Sequence, residues 1–285
     1  MSNNWEQIGT DLFGDTPGDG FGFTGISLSE DGSILAVGAQ FNDDNGTDSG
    51  HVRIFENINN TWTQIGSDIL GEYAYDQCGV SVDLSDDGKI VAIGSWHNDG
   101  TPSFVPGYER IVTINGEQVD NYYPNGQVRV YKYIDNDWTQ IGLDIDGFIT
   151  DEWSGQSVSI SSDGTFVGIG GQNSNKNSVY EYKDTPINNW SIINSFPAKS
   201  GNSGATSLSS DGTTFAIADD NGGFEGRGLI KTFKNNNGSW VQLGNDIESL
   251  TFNERLLGHA IHLSENGSFL VISAPYSDQD KGGLV

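Results

Sequence analysis

The sequence predicts an all-β fold, a five-bladed β-propeller of four-stranded antiparallel blades, on three observations. A Trp-x-Gln strand signature recurs five times, a Ser-x-Asp-Gly turn recurs five times, and no helical segment interrupts the pattern. The first element reads Trp5-Glu-Gln7-Ile8-Gly9, Trp62-Thr-Gln64-Ile65-Gly66, Trp138-Thr-Gln140-Ile141-Gly142 and Trp240-Val-Gln242-Leu243-Gly244, with a degraded copy at Trp190-Ser-Ile192-Ile193-Asn194. Recurrence at one position in every unit points to packing and not to a ring of sugar sites.

The second element alternates and closes on a tight turn, as in Val82-Asp-Leu84-Ser85-Asp-Asp87-Gly88 and Val158-Ser-Ile160-Ser161-Ser-Asp163-Gly164. Asp or Asn tolerates a left-handed backbone, Gly adopts positive φ freely, and the Ser hydroxyl bonds the local backbone, so the chain reverses into a neighbouring strand. That third element is small and β-branched, for example Val91-Ala-Ile93-Gly94 and Phe215-Ala-Ile217-Ala218, as suits a strand covered on both faces. The fourth follows as Gly50-His-Val52-Arg-Ile54-Phe55, Gly126-Gln-Val128-Arg-Val130-Tyr131 and Gly228-Leu-Ile230. Four short strands make one blade. One domain, 1–285, thus divides into units of about 1–60, 61–136, 137–188, 189–238 and 239–285, with an inserted hairpin at 97–125 that turns at Asn115-Gly116. Asp11, Asp68, Asp144 and Asp246, each two residues after the repeat's Gly, read as turn formers bonding local backbone amides.

The segment from Gly258-His-Ala-Ile261 through Ile272-Ser-Ala274-Pro275-Tyr276 to Gly282-Gly283-Leu284-Val285 resembles the FG-GAP repeat, the blade of the integrin α-chain head, and similar matches run along nearly the whole chain. The resemblance implies a propeller with an adhesive or ligand-binding role in an extracellular or cell-surface setting, although no secretory signal pattern opens the given residues. The chain departs from the family in one respect. The family's Asp-x-Asp-x-Asp-Gly calcium loop is replaced by the shorter Ser-x-Asp-Gly turn, which has too few oxygens for Ca²⁺. In FG-GAP order, residues 4–8 supply the outer strand of the blade begun at 258 and seal the ring against 282–285. The alternative is a fragment of a longer propeller.

Composition narrows the partners. Thirteen Lys and Arg against 39 Asp and Glu give a net charge of −26, which repels phosphate backbones and anionic headgroups and argues against nucleic-acid binding. No stretch reaches the length of apolar residues that membrane insertion requires. The one cysteine, Cys78, excludes an intramolecular disulfide and reads as a small buried apolar residue.

Strand order gathers the long loops on the face opposite the Ser-x-Asp-Gly turns, and that face is acidic and aromatic. Trp96, Tyr108, Tyr122, Tyr123, Asp219, Asp220, Asp278 and Asp280 are the candidate ligand contacts there. The expected function is therefore non-catalytic recognition of a protein or glycan, with a structural subunit and a carbohydrate-active enzyme as alternatives. No cofactor is expected beyond weak calcium binding by Asp43, Asn45 and Asp48. For an enzyme, the inner strands offer Asp83 alone as a carboxylate, while His259 and His262, three apart on a strand, face opposite sides.

Overall fold

A computed structural model describes residues 5–98, 111–114, 117–120, 125–148, 152–171, 176–184, 186, 188–197, 204–219, 228–248 and 258–274. Among these residues the regular elements are all strands. Blade 1 is a sheet in the order β1 (Phe21–Leu28), β2 (Ile34–Ala39), β3 (His51–Ile58), β4 (Thr61–Gln64), with β5 (Ile69–Leu70) also on β3. Blade 2 runs β6 (Ser81–Leu84), β7 (Ile90–Ser95), β10 (Gln127–Ile134), β11 (Asp137–Gln140), with β12 (Ile145–Asp146) on β10. Between them β8 (Ile111–Ile114) and β9 (Glu117–Asp120) form a separate two-stranded ladder in which Ile114 faces Glu117, the hairpin read from the insertion. Blade 3 comprises β13 (Ser154–Ile160), β14 (Phe166–Gly171), β15 (Lys176–Lys183) and β16 (Asn189–Pro197). Blade 4 comprises β17 (Thr206–Leu208), β18 (Thr214–Asp219), β19 (Leu229–Asn236) and β20 (Ser239–Gln242), with β21 (Ile247–Glu248) on β19. Blade 5 is described through β22 (Ile261–Leu263) and β23 (Leu270–Ile272). Every pairing between these strands is antiparallel, in the inner-to-outer order that the repeats predict, while the isolated bridges Gly50–Cys78 and Gly126–Ser154 are parallel.

The apolar core lies between blades. Ile34, Ala36, Val52 and Ile54 of blade 1 cluster with Val82, Leu84, Val91 and Trp138 of blade 2, and blades 2 and 3 repeat the arrangement through Val128, Ile145, Val158, Val167 and Trp190. Each blade therefore buries its face only when a neighbour covers it. The turns set the close approach: Gly88 sits at φ 66°, and a Cβ there would lie 2.6 Å from the Ile34 side chain of the preceding blade. The recurrent tryptophans are packing residues with a directed bond. The indole N–H groups of Trp62, Trp138 and Trp190 donate to the carbonyls of Ile8, Ile65 and Ile141, each in the preceding unit. Gly66, at φ 70°, leaves room for the Trp138 ring, which an added Cβ would meet at 2.6 Å.

Two local readings change. Asp11, Asp68, Asp144 and Asp246 accept from the side-chain amides of Gln7, Gln64, Gln140 and Gln242, four residues earlier, and not from backbone amides. The Gln of the Trp-x-Gln signature is thus half of a Gln–Asp clasp. Residues 5–8 belong to no strand, and the partner segment expected to seal the ring, 282–285, lies outside the described residues. On the leading face of blade 1, Ile26 and Leu28 are 56% and 54% exposed, whereas the corresponding Val82 and Leu84 of blade 2 are 7% and 6% exposed. On blade 5, Phe269 and Val271 stand at the positions of Ile34 and Ala36 and are likewise exposed.

Candidate active site at the propeller axis

The inner strands meet at the axis, and alternation assigns each side chain there to the core or the channel. Four residues before each turn's Asp or Asn stand Ser27, Asp83, Ser159, Ser207 and His262, one from each blade. The first four of these side chains knit neighbouring blades together. Ser27 Oγ accepts the Leu84 N–H, Asp83 Oδ2 that of Ile160 at 2.8 Å, Ser159 Oγ that of Leu208, and Ser207 Oγ that of Leu263. Beyond them the turn tips are linked by backbone bonds from Glu30 to Asp86, Asp86 to Ser162, Ser162 to Ser210 and Ser210 to Glu265.

Asp83 is the carboxylate of this ring. Its Oδ1 accepts the Ser27 hydroxyl at 3.0 Å. Burial pushes its pKa up to about 6, against the opposing pull of the Ile160 amide, the Ser27 hydroxyl, the Leu84 amide and the charge of His262. Ser81, two residues earlier on the same strand face, lines an axial funnel of about 440 Å³ together with Thr24, Gln156, Ser157, Thr206 and His259. A water-accessible cavity walled by hydroxyls, an amide and an imidazole suits a small polar ligand, and Asp83 stands two residues along β6 from its wall at Ser81.

Of the ligand contacts singled out from sequence, Trp96 and Asp219 are among the described residues. Trp96 is half-buried, donates its indole N–H to Gln77 Oε1 at 2.6 Å, and stacks on His97 with ring centroids 4.9 Å apart. Trp153 meets both rings edge-on. Asp219 is buried at the end of β18, opposite Leu229. Tyr108, Tyr122, Tyr123, Asp220, Asp278 and Asp280 lie outside the described residues. In the 41–49 loop, Asp43 accepts the Asp48 N–H at 2.8 Å, and Asn45 donates to the carbonyls of Gly71 and Glu72. Burial, and then the charge of Asp43, raise the Asp48 carboxyl.

A different set of donors converges nearby. Asp15, Asp44, His51 and Asp68 offer one potential ligand atom each, all within 4.8 Å of one another. Sequence reasoning passed over His51 and Asp15. The available signal was that His51 begins its strand where the corresponding positions carry Gln127 and Leu229, each paired with the last residue of the preceding strand.

No family model matches the chain, and no curated protein does so either. Solved structures do. The periplasmic gluconolactonase of Pseudomonas aeruginosa is 18% identical, with a TM-score of 0.54 over 87% of this chain and 64% of that one. A protein from Lactobacillus plantarum is 15% identical at 0.53, covering 88% and 63%, and the hydrazine synthase of Kuenenia stuttgartiensis is 13% identical at 0.52, covering 88% and 61%. The chain spans less than two thirds of the length of each. At these identities the likeness shows the fold, and the expectation of a non-catalytic adhesion-like module is corrected by it: a gluconolactonase stands on the same architecture. The inner strands still offer Asp83 as their one carboxylate, and His262 is the smallest of the influences that act on it. What stands at the level of family is a β-propeller-like, all-β chain whose FG-GAP resemblance has no matching family model behind it.

Proposed function

We propose that the chain is a hydrolase of the lactonase type, opening a small cyclic ester in the axial funnel with Asp83 as the proton-exchanging group. The observation that carries this reading is the placement of Asp83, the carboxylate of the axial ring, two residues along its strand from the funnel wall at Ser81. A gluconolactonase among the solved structures of similar fold supports the reaction class. In the step envisaged, a water oxygen bonds to the acyl carbon while the Asp83 carboxylate takes its proton. The ring C–O bond then breaks, and the same proton passes to the departing alkoxide, leaving a hydroxy acid. The hydroxyls of Ser81, Ser157 and Thr206 supply hydrogen bonds to the substrate's polar groups.

The test is turnover of aldonolactones and simple γ- and δ-lactones, followed in a pH-stat above the buffer rate. Turnover rises with pH through a midpoint of about 6, the value at which Asp83 ionises, and Asp83→Asn lowers the rate about 100-fold or more. An inert lactone panel, or an Asp83→Asn variant as active as the parent, removes the proposal.

A further inference from the structure

The junction of Asp15, Asp44, His51 and Asp68 lies apart from the axial ring, and four separate segments build it. Asp15 comes from the run before β1, Asp44 from the β2–β3 loop, His51 from the first position of β3, and Asp68 from the β4–β5 link. We propose that these four side chains form a site for one divalent transition-metal ion.

The distances have the scale of a coordination shell. His51 Nδ1 stands 3.4 Å from Asp44 Oδ2 and 3.9 Å from Asp68 Oδ2. Ligands about 2.1 Å from a tetrahedral ion are about 3.4 Å from one another. The imidazole is the second, independent pointer. His51 is completely buried and its Nε2 has no hydrogen-bond partner, so Nδ1 is the ring's polar outlet, and it is aimed into the carboxylates. A buried polar ring is costly unless its nitrogens find strong partners.

Charge gives the valence. Three carboxylates carry three negative charges, and Arg53, whose Nη1 lies 3.0 Å from Asp15 Oδ1, offsets one of them. With the imidazole neutral, as ligation requires, two negative charges remain for a dication. The donor chemistry gives the class, because one imidazole nitrogen among three carboxylates suits Zn²⁺, Mn²⁺, Co²⁺ or Ni²⁺, while Ca²⁺ takes six to eight oxygens.

Comparison between blades separates scaffold from addition. Blade 2 keeps the carboxylate–guanidinium partnership as Glu72 with Arg129, and it keeps Asp68's counterpart as Asp144, yet it carries Gln127 where blade 1 has His51. Histidine at this position belongs to blade 1 alone among the blades whose third strand is described. Once bound, the ion ties residue 15 to residue 68 and fastens the segment before β1 onto its own blade.

The test uses the full chain stripped with a chelator and titrated calorimetrically with Zn²⁺, Mn²⁺ and Ca²⁺ separately, with the visible absorption of added Co²⁺ as a second readout. One equivalent of Zn²⁺ or Mn²⁺ binds more tightly than Ca²⁺, and the melting temperature rises with the added ion. His51→Gln, a replacement that the chain itself accommodates at Gln127, folds normally in chelator and weakens binding about tenfold or more, as does Asp44→Asn. Absence of saturable transition-metal binding, Ca²⁺ binding tighter than Zn²⁺, or parental affinity in both variants overturns the assignment. Lactone turnover plays no part in these readouts, so this proposal and the axial one fail independently.

Discussion

Asp83 links stability to pH in a direction opposite to that of an ordinary surface carboxylate. Folding raises its pKa from 3.8 to about 6, with burial as the leading cause, so the folded chain holds the proton after the unfolded chain has released it. Its contribution to stability is full below about pH 4, falls as pH rises, and is gone above about pH 6. Denaturant midpoints measured across that window show the parent losing about 2–3 kcal/mol relative to Asp83→Asn. A difference that stays flat or grows contradicts this. Asp76 is also raised to about 6, again by burial first, but it is common to both proteins and cancels. Asp83 was legible in the sequence as the one acid in the inner strands, and the coming together of the His51 junction was not. Asp15, Asp44 and Asp68 resemble any other acids in so acidic a chain, and only the turn from β2 into β3 brings them to the imidazole.

The repeated turn is the element whose chemistry the sequence shows most directly. In blade 3, Ser161 Oγ donates to Asp163 at 2.8 Å and accepts the Phe166 N–H at 2.9 Å, and blades 1, 2, 4 and 5 reproduce both bonds. The Ser is a hinge pin between two strands. Ser161→Ala orphans the Phe166 amide and costs about 1–2 kcal/mol in a denaturant melt, and an unchanged midpoint would show that water replaces the hydroxyl. Strand sequence, order and count per blade could be read because alternation, turn chemistry and recurrence agree there. The Gln64–Asp68 clasp could not, since Gln and Asp four apart on a bend face each other only once the backbone geometry is set. The indole bonds of Trp138 and Trp190 escaped for a related reason: they join residues more than forty positions apart in sequence, and register between blades has no local code.

At the scale of the molecule, the unequal burial of corresponding residues makes a prediction about the junction on the leading side of blade 1. Leu84→Ala opens a cavity between blades 1 and 2 and costs about 2–4 kcal/mol, while Leu28→Ala, at an exposed copy of the same position, costs less than about 0.5 kcal/mol. Equal losses would mean that the face of blade 1 is covered in solution. The predicted seal by residues 4–8 is the part of the architecture that the sequence expressed least directly, because it depends on how far each blade rotates relative to the last and not on strand identity.

The His51 junction gains a second meaning from its place on blade 1. In a stack of units that stabilise one another only through nearest neighbours, opening starts where a unit has a single neighbour, and linear repeat arrays suppress this fraying with specialised terminal caps. A dication held by Asp15, Asp44, His51 and Asp68 would brace blade 1 in a comparable way, without altering a residue of its buried core. Cation availability would then set how readily blade 1 opens, and with it the Ser27 hydroxyl that Asp83 of the next blade accepts.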